Sequence, residues 1–149
     1  MKASAIKKAI TTMAKTGRPI MIWGSYGLGK STVARQWVKE NKRQLFEMTT
    51  TALEPIDLRG LCSIKNGKTI WNPPAFLPDK PGCVLLIEDL TNGHPQVLTA
   101  LYALILDGRL GDYILPKDTI IIANGNRETD ASYATKMPMA LATRFVHIN

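Results

Sequence analysis

At 149 residues and 45% hydrophobic content, the chain fits one domain with a core of its own. Nineteen Lys and Arg against twelve Asp and Glu leave a net charge of +7, which favours anionic ligands and keeps nucleic acid open as a partner. No apolar run approaches about 18 residues, which excludes a membrane-spanning helix, and Cys62 and Cys83 have neither metal nor redox spacing, as expected of reduced thiols in a cytoplasmic protein.

The N-terminal stretch from Met1 to Ile10 is basic, but Ile6, Ala9, Ile10 and Met13 form one helical stripe with lysines opposite. That pattern predicts a structural helix rather than a targeting peptide. Pro19 to Trp23 is a short apolar run suited to a buried parallel strand, and Ser31 to Asn41 carries Val33, Ala34, Trp37 and Val38 at helical spacing. Between them Gly24-Ser25-Tyr26-Gly27-Leu28-Gly29-Lys30-Ser31 matches G-x-x-x-x-G-K-[ST] without a gap. The glycines let backbone curl around a phosphate and turn N–H groups inward. Lys30 adds a cation for the β- and γ-phosphates, and Ser31 a hydroxyl for Mg²⁺. Gly24 through Thr32 is therefore the expected nucleoside-triphosphate-binding segment. The pairs Lys7-Lys8 and Lys42-Arg43 are read as solvated helix surface in preference to a nucleic-acid patch.

Further along, Leu45 to Thr49 predicts a second strand, and Glu54 to Gly60 reads as a break rich in turn residues. Ser63-Ile64-Lys65 and Lys68-Thr69-Ile70-Trp71 flank Asn66-Gly67, a strong hairpin signal. Pro73, Pro74, Pro78 and Pro81 stiffen a loop that leads into the apolar strand Cys83 to Ile87, which ends in Glu88-Asp89. Pro95 starts a helix carrying Val97, Leu98, Leu101, Leu104 and Ile105, ended by Gly108. Leu110 to Leu115 suggests a second small hairpin arm. Thr119 to Ala123 predicts a strand ending in Asn124-Gly125-Asn126; then come a polar loop, a short helix near Met137 to Thr143 and a last strand from Phe145 to Ile148. Alternating strands and helices imply an α/β fold, a parallel sheet covered on both faces with ligands at the carboxyl ends of its strands.

Glu88 and Asp89 supply the second piece of chemistry. In nucleotide hydrolases an acid after a hydrophobic run holds Mg²⁺, and a second carboxylate polarises the attacking water. Two adjacent acids suit both tasks, the alternative being that they only cap the following helix. Asn126 offers an amide able to orient water near the γ-phosphate, or else is a simple turn asparagine.

Taken in order, GSYGLGKS, EPIDLRG, NPPAFLPDKPGCVLLIEDL, LILDGRLGDYILP, ANGNRETD and MPMALATRFVHIN resemble the MoxR-type AAA+ ATPases, especially small bacterial and phage-encoded members, over nearly the whole chain. The resemblance implies a P-loop three-layer sandwich with a five-stranded parallel sheet in the order 5-1-4-3-2. It places one hairpin in helix 2 and another before the sensor strand. It also implies a homo-oligomeric ring, hexameric in the family, that hydrolyses ATP with Mg²⁺ to remodel or mature an unknown protein partner. Lys30 and Ser31 match the Walker A lysine and hydroxyl, Glu88 the metal-holding acid, Asp89 the catalytic acid and Asn126 sensor 1. Arg144 matches an arginine that reaches the ATP of a neighbouring subunit, the alternative being a surface arginine at a helix end.

Two departures carry expectations. The family's acidic pair reads Asp-Glu and this chain reads Glu-Asp, which predicts slow hydrolysis; an alternative register puts Asp89 on Mg²⁺ and Leu90 at the base position, making the domain an ATP-dependent binding module or switch. The chain ends at Asn149, where the family continues into a helical lid, so residues 1–149 are expected to be the core nucleotide-binding domain alone. A basic, nucleic-acid-associated ATPase is the third reading, distinguished by salt-sensitive DNA binding.

Overall fold

The computed structural model describes residues 2–127 and 137–149. Helix α1 (Ala3–Ala14) buries Ile10 and packs Ile6, Ala9 and Met13 against the core, so the basic N-terminal stretch is structural. Strand β1 (Ile20–Trp23) runs into the phosphate loop and then α2 (Lys30–Glu40), which buries Val33, Ala34, Trp37 and Val38. Strand β2 (Leu45–Thr49), a 3-10 turn at Thr50–Ala52 and the short α3 (Pro55–Arg59) follow. Strands β3 (Leu61–Lys65) and β4 (Lys68–Asn72) form the hairpin around Asn66-Gly67. After the proline-rich loop come β5 (Val84–Glu88) and α4 (Pro95–Asp107), which Pro95 opens and Gly108 closes in the left-handed conformation. The second hairpin, β6 (Arg109–Leu110) with β7 (Tyr113–Ile114), precedes β8 (Ile120–Gly125), the short α5 (Met139–Ala142) and β9 (Val146–Ile148).

The five-stranded sheet has the order β2-β5-β8-β1-β9, all parallel. Numbered among themselves, its strands run 5-1-4-3-2, the expected P-loop AAA+ order, and both hairpins stand outside the sheet. Period-two alternation divides its side chains between two cores. Ile20, Ile22, Val84, Leu86, Ile120 and Ile122 meet α1 and α2 on one face. Met21, Leu85, Ile87, Ile121 and Ala123 meet α4, Leu141 and Phe145 on the other. Because these strands are covered twice, they read as continuous apolar runs instead of alternating ones. Full burial of each Leu or Ile contributes about 1.5–3 kcal/mol, so the sheet is a rigid platform for the groups at its carboxyl edge.

Three local expectations need correction. The Glu54–Gly60 stretch is not a plain break: Pro55 has its φ set for a first helical position, and the Asp57 carboxylate accepts the Glu54 backbone N–H at 2.7 Å, so one helical turn forms. Lys42 and Arg43 lie beyond α2, with Lys42 at φ 51° and the Arg43 guanidinium donating to the Gly82 carbonyl at 2.9 Å. Strand β8 runs two residues past Ala123, because Asn124 and Gly125 continue the register with Ile22 and Trp23 of β1. The polar loop expected after Asn126 lies outside the described residues from position 128 to 136.

Candidate functional site

Gly29, at φ 74°, turns the loop into α2 in a conformation that a residue with a Cβ resists. The first α-helical bond is Val33 N–H to the Gly29 carbonyl at 2.9 Å, so the amides of Lys30, Ser31 and Thr32 precede it, at the positive end of the helix dipole. Tyr26 through Thr32 line a cleft of about 400 Å³ together with Arg35, Glu88, Asp89 and Asn124. Gly24 and Ser25 line a second recess of about 280 Å³, bounded by Ile6, Ile22 and Ile148 and sharing Leu28 and Lys30 with the cleft. The Lys30 ammonium reaches the Gly24 carbonyl at 2.6 Å, the Ser25 carbonyl at 2.9 Å and Asn126 Oδ1 at 3.1 Å. It lies 5.9 Å from the Tyr26 ring centre, and the Tyr26 hydroxyl accepts from Asn92 Nδ2, tying the loop's tip to the segment after β5.

The pleat decides what faces the loop. Glu88 and Asn124 continue the parity of Leu86 and Ile122, whose side chains lie on the α2 side of the sheet. Asp89 follows the strand with φ 54°, a left-handed value uncommon outside glycine. That conformation is held from two sides: Asn124 Oδ1 accepts the Asp89 N–H at 2.9 Å, and Thr50 Oγ1 donates to the Asp89 carbonyl at 2.6 Å. Neither acid caps α4; His94 Nδ1 accepts the Gln96 N–H there.

Asn124, 2% exposed, completes a bridge by donating Nδ2 to Ser31 Oγ at 3.0 Å. One buried amide thus joins the loop hydroxyl to the backbone of the acidic pair. Asn126, 1% exposed, is fixed through its backbone by Thr91 Oγ1 and accepts from Lys30, while its Nδ2 donor is buried without a partner among the described residues. A stranded donor costs about 1–3 kcal/mol. Gly125 between them is required by packing, since a Cβ there would stand 2.6 Å from Met21 Cε and 2.9 Å from Thr91 Cγ2.

Glu88 is not idle. Its Oε1 accepts from Arg35 Nη2 at 2.7 Å, and Arg35 Nε also bonds both Glu47 carboxylate oxygens at 3.1 Å. The hydrogen bond from Arg35 is the main cause holding the Glu47 carboxyl below its ordinary range, and the same bond raises the guanidinium further.

The donor set fits a magnesium-bound triphosphate. Mg²⁺ keeps most of its ligands as water and phosphate oxygen, so one hydroxyl and one carboxylate suffice from protein. Ser31 and Glu88 would be the ones to supply those, and Lys30 with the amides opening α2 would form the anion site, while Asn126 Nδ2 has no partner among the described residues. Arg144 stands apart, exposed in the turn between α5 and β9 and outside the cleft lining. Arg18 donates to the carbonyls of Thr143, Arg144 and Phe145, fixing that turn's backbone. Sequence reasoning brings out Glu88, Asp89 and Asn126 but misses Asn124 and Arg35. Asn124 hides in a dipeptide that looks like a turn; Arg35 is visible only as the residue one helical turn after Ser31.

Comparison with known proteins agrees with this fold. ClpE, the ATP-binding subunit of an ATP-dependent Clp protease in Lactococcus lactis, is 26% identical over 143 residues, covering 85% of this chain and 19% of ClpE. A crystal structure of a protein from Cytophaga hutchinsonii superposes with a TM-score of 0.65 at 19% identity, over 98% of this chain and 46% of that one. A RuvB variant from Thermotoga maritima gives 0.65 at 16% identity, over 100% of this chain and 46% of its own. The chain therefore spans about a fifth of its curated relative and just under half of each solved structure. Residues 19–145 match the AAA domain of the dynein-related subfamily, and the chain belongs to that family.

Proposed function

We propose that this domain binds Mg·ATP and hydrolyses it as a MoxR-type AAA+ ATPase, working in a cytoplasmic homo-oligomeric ring on a partner protein. The observation that carries the reading is the convergence of Ser31, Glu88 and Asn124 on one cleft at the carboxyl edge of a parallel sheet, beside a phosphate loop whose Lys30 also reaches Asn126. Lys30 exchanges its loop carbonyls for the β- and γ-phosphates, and the amides opening α2 add dipolar stabilisation. Ser31 and Glu88 would hold Mg²⁺, which neutralises charge on the transferring phosphoryl. Asp89 acts as the base for the attacking water, and Asn126 Nδ2 donates to the γ-phosphate or that water. Arg144, exposed at the α5–β9 turn, serves the ATP of a neighbouring subunit.

The ion pair that occupies Glu88 favours a second reading, an ATP-dependent switch with little turnover. Steady-state ATPase measurements at rising protein concentration separate the two. Turnover that climbs with concentration and vanishes in Lys30→Ala supports the first. A Lys30→Ala protein that folds and binds ATP like wild type refutes both.

A further inference from the structure

The ion pair at the mouth of the cleft reaches beyond nucleotide binding. Arg35 sits one helical turn after Ser31, on the same side of α2, and lines the cleft. The Glu88 side chain is only 15% exposed and gives one carboxylate oxygen to Arg35 at 2.7 Å. Glu47 holds the same guanidinium from β2, through Nε and through the Nη2 that also reaches Glu88, and the register sets Thr49 opposite Glu88 and Glu47 opposite Leu86. Both acids therefore share the α2 face of the sheet, with one cation between them.

We infer that Arg35 is a positioning residue that sets the Mg²⁺ requirement of this site, by competing with the divalent cation for Glu88, while Glu47 draws Arg35 away. The inference rests on the assignment of Glu88 as the metal carboxylate. A carboxylate oxygen engaged by a guanidinium gives up a charge-assisted hydrogen bond, stronger than a neutral one, if it turns to a metal, and the cation beside it also lowers the attraction of the other oxygen for a second cation. Glu47 makes the exchange easier by giving Arg35 somewhere to remain. Removing Arg35 should loosen the requirement for Mg²⁺; removing Glu47 should tighten it.

The test is a Mg²⁺ titration of fluorescent ATP-analogue binding to the whole chain, repeated as a thermal-shift titration at fixed nucleotide, so that neither readout depends on turnover. The Arg35 side chain is 44% exposed, and Arg35→Gln is expected to fold. Its Mg²⁺ midpoint should fall roughly two- to fivefold, and that of Glu47→Gln should rise by about as much, the range an incompletely buried ion pair supports. Through-space charge effects alone would move both midpoints in these directions, so the deciding comparison is in a Glu88→Gln background. There the Arg35 shift should disappear, because nothing remains to compete for. A shift that persists without the Glu88 carboxylate, or coincident midpoints in wild type and both single variants, overturns the role of Arg35 and leaves the nucleotide site standing. Wild-type protein that binds no Mg·ATP overturns both.

Discussion

Replacing Asn124 with leucine removes the bridge at close to constant volume, and the structure sets the size of the effect. The substitution strands the Asp89 N–H, which has Asn124 Oδ1 as its acceptor at 2.9 Å, and deletes the donor to Ser31 Oγ at 3.0 Å. A stranded donor costs about 1–3 kcal/mol and a lost hydrogen bond about 0.5–1.5 kcal/mol, for a total of roughly 2–4 kcal/mol. For a domain of this size that is a fall of roughly 5–15 °C in Tm. Nucleotide-free thermal and urea denaturation measure it. A cycle with Ser31→Ala isolates the amide–hydroxyl bond, with an expected coupling of about 0.5–1.5 kcal/mol. The same loss should raise the Mg²⁺ concentration needed for ATP binding, because Nδ2 occupies one lone pair of Ser31 Oγ and so aims the rest of the hydroxyl. An Asn124→Leu protein with wild-type Tm and Mg²⁺ dependence, together with additive cycle energies, refutes the bridge as a support of the site.

The remaining expectations concern the acids and the arginine. Exchanging the acidic pair, Glu88→Asp with Asp89→Glu, should raise the ATPase rate, since the base gains a methylene of reach while the shortened acid before it gives up Arg35; a flat or lower rate in a steady-state assay would show the present order to be tuned already. Mixing Lys30→Ala with Arg144→Ala should recover activity absent from either alone, because each retains the half of an interface site that the other lacks; mixtures that remain inactive while sedimentation shows association would leave Arg144 structural. Glu47 has its carboxyl held below the ordinary value by Arg35, so its contribution to stability is complete above about pH 4.5 and is lost as pH falls through the lower folded-state value. Thermal melts across about pH 5 to 3 should therefore show a shallower acid loss in Glu47→Gln than in wild type.

Most of the fold is legible because its signals are local. An unbroken phosphate loop between an apolar run and an amphipathic helix, Asn66-Gly67 between two β-prone segments, and Pro95 and Gly108 around one helical stripe each specify an element within a few residues. The carboxyl edge is harder. Asn124-Gly125-Asn126 carries turn chemistry, yet pairing with Ile22 and Trp23 overrides it and makes Asn124 a strand residue whose side chain faces the loop. No local pattern announces that Arg35 and Glu47 meet, since they are 12 positions apart and come together only because α2 covers the sheet face that Glu47 shares with Leu86.

Parity then explains why two adjacent acids cannot share one task. Glu88 is the last residue with strand geometry, so the pleat that buries Leu86 against α2 also turns Glu88 toward Ser31 and Arg35. Asp89, one residue later, would by the same alternation face the α4 core, where Ile87 is fully buried and a carboxylate would be stranded. The backbone leaves the strand at that residue instead, taking φ 54°, and Asn124 and Thr50 hold the turn through main-chain bonds while Asp89 still lines the cleft. The separation between the acid proposed to hold the metal and the one proposed as base is therefore built from backbone geometry, and it depends on a buried asparagine that belongs to neither motif.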